Sequence, residues 1–118
     1  MKILVVEDDK ELADLNSQLL RFEGFDVVTA YSGNQALKHL VETKFDAILS
    51  DVRMPEGDGV YLLKTAKLRG YIEDTHFYFY TGYADFSLKE AESMGAKDIF
   101  HKPLSVEEVG NQIKSRAE

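Results

Sequence analysis

Lys2-Ile3-Leu4-Val5-Val6-Glu7-Asp8-Asp9 decides the fold, because an unbroken apolar run there gives way abruptly to three acids. A strand with no polar alternate must be covered on both faces, and a parallel sheet with helices above and below it provides that cover. Ala47-Ile48-Leu49-Ser50-Asp51 repeats the pattern, so Ile3 to Val6 and Ala47 to Ser50 are expected to be central strands. Further runs of strand length lie at Val27 to Ala30, His76 to Tyr80 and Lys97 to Phe100. The run HFYFY from His76 has high β propensity but is bulkier than a strand between two helical layers normally allows, and the sequence offers no account of that.

Between these runs apolar residues recur at helical spacing: Leu12, Leu15, Leu19 and Phe22, then Ala36, Leu37 and Leu40, then Val60, Leu63 and Ala66. Gly24, Gly70 and Gly95 mark helix ends, Asp58-Gly59 caps the third helix with Gly57 easing the turn before it, and Ser105 with Glu108 spells a capping box for the last. Gly110 inside that last helix is a local weakness of about 1 kcal/mol against alanine. Strand and helix alternate five times with short connections, which predicts a flavodoxin-like, doubly wound α/β fold. Its five-stranded parallel sheet has the order 2-1-3-4-5 with helices on both faces, in a single domain over residues 1–118.

Length and composition agree. A chain of 118 residues, 44% hydrophobic and 30% charged, with two prolines and eight glycines, suits one folded domain. The formal net charge of -7 works against direct nucleic acid binding and against an anionic membrane surface. The absence of cysteine excludes disulfides and thiolate ligation, and His39, His76 and His101 show no metal spacing. The opening apolar run is too short for a secretory signal or a membrane span, so a cytoplasmic location is expected.

In this strand order the first and third strands are neighbours at the switch point, so Glu7, Asp8 and Asp51 meet at one edge of the sheet. Thr81 and Lys102 follow the fourth and fifth strands at the same edge. Unit charges about 4 Å apart cost roughly 4 kcal/mol at an effective dielectric near 20, and a divalent cation removes that conflict. Mg2+ suits one or two carboxylates, several waters and a backbone carbonyl, which Arg53 can offer. Lys102 brings a point charge and Thr81 a short, mobile hydrogen-bond donor, as phosphoryl transfer requires. Taken singly, Asp8 or Asp9 could cap a helix, Asp51 could form a turn and Lys102 could be a surface charge. Their recurrence at successive strand ends is what those explanations leave out.

From KILVVEDD through LSDVRMPEGDG and YTG to HKPL, the chain resembles a receiver domain of a two-component response regulator over essentially its whole length. The resemblance implies that Asp51 accepts a phosphoryl group from a phosphohistidine on a sensor histidine kinase or phosphotransfer protein. It implies Asp8 as the direct Mg2+ ligand, Glu7 as the acid acting through water, Thr81 as the switch hydroxyl and Lys102 as the ammonium that pairs with the phosphoryl group. A cis Lys102-Pro103 bond, self-association through the last two helices, and tuning of the phosphoryl lifetime by Arg53 and Tyr83 belong to the same implication, the Tyr83 ring slowing self-dephosphorylation.

Two positions depart from the pattern. Receivers usually carry an aromatic residue three places before the lysine, where this chain has Ile99, and Phe100 one place on should face the other way. Switching is therefore expected to couple by a route other than that aromatic, or to couple weakly. Gly57 stands where an apolar residue is more usual, so its loop is expected to be loose. Two other functions compete. A Mg2+-dependent aspartyl-phosphate phosphohydrolase acting on a small molecule would want an acid two residues after the nucleophile, where Arg53 stands. A flavin or nucleotide binder would want a glycine and hydroxyl loop where Glu7, Asp8 and Asp9 stand. The reading is thus of a switch whose only chemistry is its own phosphorylation and dephosphorylation.

Overall fold

The computed structural model describes residues 1–82, 87–102 and 104–117, the side chain at position 117 excepted. Its elements alternate as β1 (Lys2–Val6), α1 (Lys10–Phe22), β2 (Asp26–Ala30), α2 (Gly33–Glu42), β3 (Ala47–Ser50), α3 (Gly59–Leu68), β4 (His76–Thr81), α4 (Leu88–Ser93), β5 (Asp98–His101) and α5 (Val106–Ala117). The strands form one parallel sheet in the order β2-β1-β3-β4-β5, as expected. Strand bounds fall within one residue of the sequence reading.

Alternate strand residues feed two cores, because successive side chains point to opposite faces. Leu4, Val6, Ile48, Phe77, Phe79 and Ile99 pack with residues of α2, α3 and α4. Ile3, Val5, Leu49, Tyr78 and Phe100 pack with Leu20 of α1 and with Val106, Val109 and Ile113 of α5. The bulk of the HFYFY strand is absorbed by small partners: Ala66, Ala91 and Ala96 share the cluster of Phe77 and Phe79. Gly59 likewise leaves room for Phe79, whose ring would lie 3.0 Å from a β-carbon at that position.

Helix α1 departs from the expected stripe. Leu15 and Phe22 are 50% and 86% exposed, and the buried face is Ala13, Asn16, Ser17 and Leu20. The small residues of that face let α1 lie close to the sheet, where the Ser17 and Thr29 hydroxyls meet at 2.7 Å. Gly110 extends the same close packing. A β-carbon there would meet the Leu20 side chain at 2.9 Å and the Phe25 ring at 3.1 Å, so the residue that weakens α5 as a helix lets α5 seat against α1.

The expected caps are present. Asp9, Asp58 and Ser105 accept from the backbone of Leu12, Tyr61 and Glu108, and Gly24, Gly70 and Gly95 take positive φ after α1, α3 and α4. The turn at Gly57 is tied down: its carbonyl accepts from Gly33 N at 2.7 Å and that of Glu56 from Asn34 N at 3.3 Å. These bonds anchor the loop after β3 to the start of α2, where looseness was expected.

Candidate functional site

Sheet pairing carries past the strand ends and places the site's backbone. Val6 pairs with Ser50; one residue on, Glu7 N donates to Ala30 O and Asp51 N to Val6 O, each at 3.1 Å. On the other side Thr81 pairs with His101, and Lys102 N donates to Thr81 O at 2.8 Å. Glu7, Asp51, Thr81 and Lys102 are thereby held at the carboxyl edge of the sheet, the place where open α/β sheets bind ligands.

Glu7 is 6% exposed and Asp51 is half-buried. The Lys102 ammonium stands between them, 3.4 Å from Glu7 Oε1 and 3.5 Å from Asp51 Oδ2. Asp51 Oδ1 accepts from Val52 N at 2.7 Å, which sets the rotation of the carboxylate and turns its other oxygen toward the lysine. Burial pushes the Glu7 carboxyl up to about 7, helped by its hydrogen bond with Asp8 and the charge of Asp51, with Lys102 pulling the other way. Burial also works against the Lys102 charge, yet Asp51 and Glu7 outweigh it and raise the pKa of the ammonium.

Asp8, two residues past the end of β1, is exposed on the rim, within hydrogen-bond reach of the Glu7 carboxyl. Arg53 is exposed in the loop after β3, and Thr81 is fully buried at the end of β4. Among the described residues no three His, Asp or Glu side chains form a group that could hold a metal ion. Lys102 supplies positive charge between Glu7 and Asp51. Tyr83 and Pro103 lie outside the described residues, and with them the expectations on phosphoryl lifetime and on the Lys102-Pro103 bond.

Ile99 packs in the core shared with α2, α3 and α4, while Phe100 lies on the opposite face, stacked on Tyr78 with ring centroids 5.7 Å apart. The one-residue offset has the effect read from the sequence. Two residues at the site were missed. Asn16 and Tyr80 line a cavity of about 10 Å³ beneath Glu7, Ser50 and Asp51, room for one water. Asn16 had a signal, a buried amide on a helix face of small and apolar residues, but the stripe assigned to α1 ran past it. Tyr80 was hidden inside the aromatic run. A wider cleft of about 190 Å³ lies at the opposite edge of the sheet, around Phe45, Tyr71 and Thr75, away from these groups.

Comparison with known proteins gives a concordant picture. The family model described as "response regulator receiver domain" matches residues 3–114. The regulatory protein VanRc of Enterococcus gallinarum is 34% identical over 119 residues, which cover 98% of this chain and 49% of that protein. The transcriptional regulatory protein CrdR of Helicobacter pylori is 32% identical over 114 residues, covering 96% and 53%. The chain spans about half the length of these curated relatives. Among solved structures, the receiver domain of the Francisella response regulator 1452 superposes with a TM-score of 0.86 at 27% identity, covering 99% of this chain and 98% of that one. The response regulator TrrA of Thermotoga maritima, in complex with Mg2+-BeF, superposes with a TM-score of 0.82 at 25% identity, covering 97% and 96%. With the acids, the buried threonine and the lysine standing at the ends of their expected strands, and the family model running almost end to end, the chain belongs to the response regulator receiver domains.

Proposed function

We propose that Asp51 is the phosphoryl acceptor of a two-component switch, charged by a sensor histidine kinase or a phosphotransfer protein. The observation that carries this is the Lys102 ammonium held 3.5 Å from Asp51 Oδ2 while Val52 N fixes Oδ1. A carboxylate so oriented presents an oxygen to the edge of the sheet with a cation already beside it. An Asp51 oxygen forms the new O–P bond as the P–N bond of the donor phosphohistidine breaks, and the imidazole leaves with the electron pair. Lys102 neutralises charge on the transferring oxygens, and Thr81 donates to a phosphoryl oxygen once it arrives.

Mg2+ fits the donor set. Glu7, Asp8 and Asp51 are hard oxygen donors at the ends of adjacent strands, and the Glu7 carboxyl, raised first by burial and then by Asp8 and Asp51, would ionise more readily beside a bound dication. Asp8 and Asp51 would hold the ion directly with the Arg53 carbonyl, and Glu7 through water. When bound, the ion offsets negative charge on the carboxylates and on the phosphoryl oxygens. Because Mg2+ keeps several waters, no cage of three carboxylates is needed.

Arg53 and Tyr83 tune the phosphoryl lifetime in this reading, and Ile99 is the switch position, its aliphatic side chain having no ring to swing. Output passes to a partner or through self-association by α4 and α5. Curated relatives include transcriptional regulatory proteins about twice the matched length, so transcriptional control falls within the proposal, without DNA contact by these acidic residues. No described helix is long and apolar enough to cross a membrane, and we place the chain in the cytoplasm.

The test is addition of Mg2+ and beryllofluoride to the wild type and to Asp51→Asn, followed by backbone amide NMR. Shifts at Val52, Gly82 and Lys102 in the wild type alone are expected. Absence of Mg2+ binding and of any response in the wild type would remove the reading.

A further inference from the structure

Tyr80 immediately precedes Thr81 and makes two polar contacts at once. Its ring lies under the Lys102 ammonium, 5.2 Å from the centroid, within cation–π range. Its hydroxyl donates to the Leu104 carbonyl at 2.6 Å, just ahead of α5. The same side chain lines the cavity beneath Glu7 and Asp51. We propose that Tyr80 is a positioning residue that holds Lys102 against Glu7 and Asp51 and carries displacement of the lysine into the loop before α5.

The inference rests on Asp51 being the phosphoryl acceptor. The ammonium is shared among Glu7 Oε1 at 3.4 Å, Asp51 Oδ2 at 3.5 Å and the face of the Tyr80 ring. Phosphorylation of Asp51 adds negative charge on one side of that balance and draws Lys102 off the ring. A tyrosine has two side-chain torsions, so a ring that shifts takes its hydroxyl with it, and the hydroxyl is bonded to Leu104. From there the path is short. Leu104 N donates to His101 O at 3.1 Å, and the next residue, Ser105, caps α5 through Glu108 N at 3.2 Å and Val109 N at 3.0 Å. Val109 lies in the core that α5 shares with Tyr80 and Leu104. This is a polar route on the α1 and α5 face of the sheet, whereas Ile99 lies on the other face.

Tyr80→Phe keeps the ring and deletes the tether; Tyr80→Leu deletes both. Each variant is titrated with Mg2+ and beryllofluoride and followed by amide NMR, together with the Lys102 side-chain methylene protons, which the ring shifts. At saturating mimic, Tyr80→Phe is expected to lose about half or more of the wild-type amide response from Leu104 to Val109 while Val52 and Gly82 still respond. Tyr80→Leu, which removes the ring current from Lys102, is expected to move the Lys102 methylene resonances in the unliganded protein and to bind the mimic about threefold or more weakly than Tyr80→Phe, which keeps the ring beside the ammonium. An undiminished response from Leu104 to Val109 in Tyr80→Phe, or unmoved Lys102 resonances in a folded Tyr80→Leu, overturns the proposal and leaves the acceptor role of Asp51 standing. Should Tyr80→Leu not fold, Tyr80→Phe decides alone. A wild type silent to the mimic overturns both readings.

Discussion

Replacing Gly59 by alanine should displace the Asp51 carboxylate without touching it. Gly59 opens α3 directly against the backbone of Asp51: a β-carbon there would lie 2.0 Å from the Asp51 carbonyl oxygen and 3.0 Å from Cε1 of Phe79. Carbon and oxygen ordinarily approach to about 3.3 Å, so the loop and the helix must part by roughly 1 Å. Neither neighbour gives way easily. The Asp51 carbonyl accepts from Ser50 Oγ at 2.8 Å, Gly59 N donates to Val52 O at 2.8 Å, and Phe79 is fully buried. Overpacking of this kind costs about 1–3 kcal/mol and a lost hydrogen bond about 1 kcal/mol more, a total near 2–4 kcal/mol for a domain whose whole stability is on the order of 5–15. A carboxylate misplaced by about 1 Å also loses on the order of 100-fold in rate. Urea denaturation measures the first quantity, and acyl phosphate formation from a small phosphodonor, followed by intact mass at a temperature where the variant is folded, measures the second. Gly82→Ala is the stability control, since among the described residues nothing beyond its chain neighbours lies within 4 Å of its added methyl. A Gly59→Ala protein within about 0.5 kcal/mol of wild type that is phosphorylated at the wild-type rate would refute the placement of Asp51 by the α3 start.

The buried Tyr78 hydroxyl has no hydrogen-bond partner among the described residues, so Tyr78→Phe should stabilise the protein by about 1 kcal/mol in urea denaturation; a loss of stability would reveal a bonding partner. For Gly110→Ala, the helix gains about 1 kcal/mol while crowding against Leu20 and Phe25 costs about 1–3, so a lower urea midpoint is expected, and a higher one would mean that the α1–α5 seam yields. The Glu7 carboxyl is pushed up to about 7 in the folded protein from an ordinary value of 4.5, so between these pH values the native state keeps a proton that the unfolded chain has lost. Stability measured in chelator should therefore fall as pH rises from about 5 to 8, and Glu7→Gln should flatten that slope. A wild-type minus Glu7→Gln difference that stays constant with pH removes the assignment. Added Mg2+ at the upper end should restore stability to the wild type.

Much of the site was legible because its residues sit at strand ends, and strand ends are local events. Val6 to Glu7 and Ser50 to Asp51 change from apolar to acidic within one step, and the parallel order then brings those steps together. Helix α1 was harder. Leu12, Leu15, Leu19 and Phe22 form an apolar stripe, yet Ala13, Asn16, Ser17 and Leu20 face the core. Hydrophobic period reports which residues are apolar, whereas close approach to the sheet and to α5 selects for small ones, and the second requirement prevailed. The packing role of Gly110 was missed for the same reason, since helix propensity is a property of the chain and the room needed by Leu20 and Phe25 is a property of the packing.

The order of elements, the caps and the residues that end each strand were determined by the sequence alone, because each follows from local patterns, and the sheet order followed from the alternation of strand and helix along the whole chain. Only the tertiary structure decided that Lys102 bridges Glu7 and Asp51, that Asp8 stands on the rim, and that Tyr80 links the lysine to Leu104. Those relations join residues as far apart in the chain as Glu7 and Lys102, 95 positions, and they depend on side-chain direction across neighbouring strands, which no local pattern encodes.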